Sequence, residues 1–214
     1  MNQGIFSYME LLLTTPDFPE KFKGYIRTAF EQSKGITRLV LNTRKLLELQ
    51  KQGLDLKNIN ILPMFFQAID QVKTTHAQRE IEIIYKVSEN EVVVLGNELL
   101  EDVFCNILDN AVKYDRHDKV EVEVNIGEVE SEKYWKVEFK DHGPGVPDEI
   151  KESIFTRLEQ VNKRAFATVL GLTLVKQIIE KCGGKVWVED RVKGDRTKGS
   201  NFIMLLQRVE VVDE

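Results

Sequence analysis

The sequence predicts an α+β protein: a helical hairpin, half of a dimeric four-helix bundle, followed by an α/β sandwich whose mixed sheet is covered on one face by helices. Three observations carry this. A proline-free stretch, residues 21–52, repeats apolar residues at alternating spacings of four and three. Beyond Gly53 the period falls to two in several runs, most clearly KVEVEVNI and YWKVEFKD. Between such runs lie two segments of helical period, ELLEDVFCNILDNAVKYD and LGLTLVKQIIEK.

The elements follow in order. Residues 5–13 form a short apolar helix, ended by the break TTPDFPE. The long helix that follows carries a seam of Phe22, Ile26, Ala29, Ser33, Ile36, Val40, Thr43 and Leu47, widened by Leu39 and Leu46. A seam of that width fits a bundle with the preceding helix and a second copy of both, so a homodimer through residues 5–50 is expected. The alternative is a two-helix cap packed on its own domain. Gln52-Gly53 stops the helix, which divides the chain into a dimerisation hairpin (1–56) and a second domain (57–214). There the patterns predict a helix over 63–78, strands at EIEIIYKV and EVVVLG, a helix over 98–113, and strands at KVEVEVNI and YWKVEFKD. A glycine-proline loop, a helix over 170–181 and strands at KVWVED and SNFIMLLQ complete it.

Composition excludes several classes. Charged residues make up 30% of the 214, apolar ones 42%, and the formal net charge is −5, which is not the basic footprint of a nucleic-acid binder. No run approaches the roughly 20 apolar residues that cross a bilayer, and MNQGIFSYMELLLTTPDFPE lacks the basic start of a signal peptide. A cytoplasmic location is expected. Cys105 and Cys182 sit in apolar helical patterns and read as small buried hydrophobes.

Two segments carry chemistry. Leu100, Val103, Phe104, Ile107, Leu108 and Ala111 form the buried stripe of one helix, while Asn106, Asn110 and Lys113 stand at i, i+4 and i+7 and project together. Amide oxygens suit Mg²⁺ beside phosphate, and an ammonium offsets phosphate charge. The second segment is DHGPGVPD, residues 141–148: either a tight turn or a loop built around a ligand.

The order NILDNAVKY, DHGPGVP, then LGLTLVKQIIEKCGGKVWVED resembles the nucleotide-binding domain of histidine kinases and its wider ATPase superfamily, over residues 58–208. The preceding helices look like the rest of that family's dimerisation and phosphoacceptor domain. By this resemblance Asp141 accepts a hydrogen bond from the adenine amino group, while Gly143 and Gly145 let the backbone approach the base. It further implies Asn110 as the Mg²⁺ ligand with Asn106 beside it, Lys113 on phosphate and Tyr114 against the adenine. Val146, Phe155, Gly171 and Leu172 complete the implied nucleotide-binding set, with ATP and Mg²⁺ as cofactors. A response-regulator receiver domain is the implied partner.

Three departures stand out. The family's lid usually ends in Gly-x-Gly-Leu-Gly-Leu, where this chain reads Ala167-Thr168-Val169-Leu170-Gly171-Leu172; Gly171 is expected to open the helix, with Lys163 and Arg164 as the lid's cations. Leu158 stands where many members have phenylalanine. No histidine precedes His76, so the phosphoacceptor is expected upstream of Met1; His76, His117 and His142 do not match its context. The expected function is the ATP-binding module of a two-component sensor histidine kinase. The alternative is a catalytically impaired nucleotide-sensing scaffold. An ATP hydrolase is disfavoured, because the hydrolytic relatives carry a glutamate base where Asn106 stands.

Overall fold

Helix α1 (Gln3–Thr14) and helix α2 (Glu20–Gln52) form an antiparallel hairpin, locked near its turn-distal end by an edge-on contact of Phe6 with Phe30, centroids 5.5 Å apart. α2 runs 33 residues because nothing interrupts it until Gly53, whose φ of 73° releases the chain. The computed structural model describes residues 3–129, 133–156 and 166–209.

The remaining elements are β1 (Lys57–Asn60), α3 (Leu62–Thr75), β2 (Glu80–Val87), β3 (Val93–Gly96), α4 (Leu100–Tyr114), β4 (Lys119–Glu128), β5 (Tyr134–Lys140), α5 (Asp148–Lys151), α6 (Phe166–Lys181), β6 (Lys185–Val192) and β7 (Asp195–Gln207). Five strands form one sheet in the order β2-β4-β5-β7-β6, with β2 and β4 parallel and every other pair antiparallel. The sheet is therefore mixed. Its one parallel pair exists because α4 carries the chain back across a face before β4 begins. Strands β1 and β3 pair separately, antiparallel. β1 was not legible: KNIN shows no alternation, and it becomes a strand only because β3 lies beside it.

Helices α3, α4 and α6 pack against the sheet. Phe65 of α3 meets Phe104 of α4 edge-on at 6.0 Å and Phe139 of β5 at 6.4 Å, and none of the three is more than 1% exposed. Burying each such side chain stabilises the fold by about 1.5–3 kcal/mol. The stripe expected on α4 is buried as a whole.

The expected start of the last helix needs correction. α6 begins at Phe166, four residues before Leu170, so Gly171 lies inside the helix and does not open it. The reason lies in the lid pattern itself: alanine and valine favour right-handed backbone where glycines would let it turn away, and the helix propagates through them.

α2 also docks on the sandwich. Lys45 pairs with Asp102 at 2.6 Å and Arg38 pairs with Asp109, so steps of seven along α2 are matched by steps of seven along α4 in the opposite sense. Seven residues are two helical turns, which keeps both pairs on one seam.

Candidate nucleotide site

α4 supplies the amide face. Its first turn carries Glu101 and Asp102, charges that suit the positive helix end. Asn106 and Asn110 are each 5% exposed, so they are not the solvated face such a polar row usually makes. Asn106 Nδ2 donates to the Asp102 carbonyl at 2.7 Å, and its Oδ1 accepts from Arg38 Nη2 at 2.9 Å. Asn110 differs: neither Oδ1 nor Nδ2 has a hydrogen-bond partner among the described residues. A buried amide left wholly unmet costs about 1–3 kcal/mol, which marks this position as one that a ligand would complete.

At the end of α4, Lys113 Nζ and the Tyr114 hydroxyl both reach Thr168 Oγ1 at 2.8 Å, and the ammonium lies 5.2 Å from the Tyr114 ring centre. One hydroxyl has two lone pairs and can serve both donors. Thr168, in the first turn of α6, thus ties the lid end of the site to α4.

The loop after β5 positions Asp141. Its Oδ1 accepts from the backbone N–H groups of Gly143 (2.8 Å) and Ser200 (3.0 Å), which leaves Oδ2 for an exocyclic amine. Burial raises the Asp141 pKa above the usual carboxylate value, with the neighbouring Asp115 charge adding to the rise and the two backbone bonds opposing it. Two glycines make this possible. Gly145 has a φ of 73° and its missing Cβ would collide with the Arg196 carbonyl. Gly199 on β7, at φ 111°, lets that strand pass against the Asp141 carbonyl. Val146 is 9% exposed beside them.

Several expected site residues lie in the core. Phe155 packs edge-on to Phe202 with centroids 6.2 Å apart, and Leu172 is 1% exposed in the hydrophobic cluster. Gly171 is at the site itself: a Cβ there would stand 2.6 Å from Asn106 Oδ1. Leu158, Lys163 and Arg164 lie outside the described residues. Sequence reading missed Arg38, Thr168, Gly199 and Asp115, whose buried Oδ2 has no partner among the described residues.

The histidines are held by other groups. His76 Nε2 meets Asp109 Oδ1 at 2.9 Å, His117 Nδ1 meets Asp115 Oδ1 at 2.7 Å, and His142 Nδ1 meets the Glu121 carbonyl at 3.1 Å. Burial pushes the thiols of Cys105 and Cys182 up to about 12 and about 11, leaving both inert as nucleophiles.

A mixed sheet under three helices, with an amide-bearing helix facing a glycine loop, is the architecture of an ATPase-type α/β sandwich. A family model described as "Histidine kinase-, DNA gyrase B-, and HSP90-like ATPase" matches residues 96–210, and the chain belongs to that family. Its ATPase domain is of the histidine-kinase type. Sensor protein SrrB of Staphylococcus aureus (strain MRSA252) is 26% identical over 200 residues, covering 90% of this chain and 33% of that protein. Signal transduction histidine-protein kinase ArlS of Staphylococcus aureus (strain USA300) is 26% identical over 195 residues, covering 86% of this chain and 40% of ArlS. The chain therefore spans between a third and two fifths of these relatives. Among solved structures, histidine kinase ThkA in complex with response regulator protein TrrA superposes with a TM-score of 0.68 at 20% identity, over 96% of this chain and 57% of that one. That likeness extends the shared fold to the helical hairpin. No helix among the described residues is long and apolar enough to cross a membrane.

Proposed function

We propose that the chain is the dimerising and ATP-binding portion of a two-component sensor histidine kinase. The observation that carries this is Asn110, a buried amide with no hydrogen-bond partner among the described residues, on the helix face shared with Asn106 and Lys113 and in a chain of the histidine-kinase ATPase family. The donor set fits Mg²⁺ with phosphate: Asn110 Oδ1 is a hard ligand without a partner among the described residues, Asn106 is its polar neighbour, and Lys113 supplies positive charge. Asp141 would hold the adenine amine through Oδ2, with Gly143, Gly145 and Val146 shaping that end. Tyr114 stands at the rim, 38% exposed and with its hydroxyl tethered by Thr168. Bound Mg²⁺ would neutralise polyphosphate charge. The residues of this chain bind and orient; the acceptor is proposed to be a histidine imidazole N-terminal to residue 1, which would take the γ-phosphoryl group as the bond to ADP breaks. A receiver domain would then accept it on a carboxylate, as the ThkA complex with a response regulator suggests by likeness.

Calorimetric titration with a non-hydrolysable ATP analogue and Mg²⁺, beside Asp141→Ala, tests the binding step. Binding that the substitution abolishes supports the reading, and no binding by the unaltered chain removes it. Transfer is tested on a form that carries the upstream helix, supplied with γ-labelled ATP: acid-labile label is expected. One observation favours a second reading, a nucleotide-sensing scaffold. α6 runs through Ala167 and Val169, where glycines would let main-chain N–H groups turn toward phosphate.

A further inference from the structure

Helix α2 brings two polar side chains to the amide face of α4. Arg38 bridges Asp109 and Asn106 Oδ1, and it fixes the Asn106 amide with its oxygen toward α2 and its nitrogen on the Asp102 carbonyl. One turn further along α2 stands Asn42, 6% exposed, whose Nδ2 has no hydrogen-bond partner among the described residues. Gly171 is what lets these groups meet: a Cβ on it would lie 2.6 Å from Asn106 Oδ1 and 3.7 Å from Asn42 Nδ2. Three helices therefore converge on a bare Cα, with the Asn42 donor from the hairpin on one side and the Asn106 amide of α4, one turn from Asn110, on the other.

An apolar side chain would fill the Asn42 position without leaving a donor unmet. Among the described residues, the buried side-chain groups of these two helices without a hydrogen-bond partner are Asn42 Nδ2 and both polar atoms of Asn110. Donors together with a hard oxygen acceptor are complementary to anionic oxygens accompanied by a divalent cation.

We infer that α2 is a wall of the nucleotide site, and that Asn42 is a binding residue for the polyphosphate and divalent-cation end of a nucleoside triphosphate, with Arg38 as the positioning residue for Asn106. This rests on the ATP-binding reading above. It adds a residue from the helical hairpin to a site otherwise built from the sandwich.

The test is Asn42→Leu, close in size but without the donor, with Asn42→Ala measured alongside in case leucine is too bulky. Each is melted without ligand, titrated by calorimetry with Mg²⁺ and a non-hydrolysable ATP analogue, and examined with adenosine by ligand-observed NMR. The expected result is a melting temperature no lower than that of the unaltered chain, unchanged adenosine binding, and analogue affinity weaker by about tenfold or more, the usual loss for a hydrogen bond to a charged group. A merely structural Asn42 would lower the melting temperature and leave the affinity ratio of analogue to adenosine untouched, which overturns the inference. Tighter analogue binding in either variant also overturns it, because α2 would then be a cover that excludes nucleotide. Asp141→Asn separates the two readings: analogue binding that depends on Asp141 but not on Asn42 overturns the inference alone, whereas no binding by the unaltered chain overturns both.

Discussion

Asp141 and Asp109 show how opposite demands are placed on two buried carboxyls. Burial raises the Asp141 pKa, so this group favours the folded state below its unfolded value, near 3.8, and that contribution fades as pH rises through the higher folded value. The proposed adenine contact has the reverse need, because only the carboxylate would accept from an adenine amine without offering a competing proton. Nucleotide affinity is therefore expected to fall on acidification at a higher pH than an exposed aspartate would give, and a pH series of titrations checks this. Asp141→Asn keeps an oxygen for the Gly143 and Ser200 N–H groups but sets an amide nitrogen against the base. It should weaken nucleotide binding by about 1.5–3 kcal/mol. Gly145→Ala strikes the same loop through its backbone: φ is 73° and the added Cβ meets the Arg196 carbonyl, so a loss of about 1–3 kcal/mol in thermal unfolding is expected. The glycine loop and the Asn106, Asn110 and Lys113 row were legible because each lies within one short stretch, where the helical period or the turn residues speak for themselves. Arg38, Asn42, Thr168 and Gly199 were not. Each acquires its role from a neighbour distant in sequence, and no local period marks it.

At the scale of the element, the contact of α2 with α4 is an electrostatic seam with an acid limit. Burial alone would raise the Asp109 pKa, but the His76 hydrogen bond and the Arg38 guanidinium outweigh it and hold the carboxyl at about 2. A depressed carboxyl stabilises the folded state above its unfolded pKa near 3.8, and that stability is lost as pH falls toward about 2. The shift corresponds to about 2 kcal/mol at neutral pH. Asp109→Asn should lower neutral stability and flatten the acid limb of the unfolding profile between about pH 4 and pH 2. A variant whose acid limb matches that of the unaltered chain would show that other carboxylates govern it. Lys45 and Asp102 are each about one third exposed, so removing that pair should matter far less. α2 and α4 have strong apolar periods and fell within about two residues of expectation, whereas α6 was misplaced at its start because its first turn is specified by the absence of glycine and by Thr168 reaching Lys113 and Tyr114.

For the whole molecule, α2 is the element that would join the two proposed functions, because one of its faces packs on the sandwich and the opposite one is exposed. Arg38, Asn42, Lys45 and Leu49 face the sandwich, whereas Phe22, Ile36, Val40 and Leu47 of the seam remain exposed, Ile36 and Val40 by 60% and 59%. Tyr8, Leu11 and Tyr25 add to the exposed apolar surface of the hairpin. The two arrangements weighed for this helix, a dimer seam and a cap on its own domain, therefore use separate faces and do not compete. Large apolar side chains exposed repeatedly along one helix face are costly in water and are characteristic of an interface. In the proposed dimer a second hairpin covers it. Ile36→Glu with Val40→Glu would place four like charges at such an interface, and sedimentation velocity is expected to show a dimer for the unaltered chain and a monomer for the double variant. Since neither residue is on the Asn42 face, the monomer should bind the ATP analogue as the dimer does. Two outcomes would count against this division of labour. A double variant that stays dimeric would move the interface to another surface. A monomer that loses nucleotide binding would mean that the partner copy completes the site, and α2 could not then be a wall that each chain provides for itself.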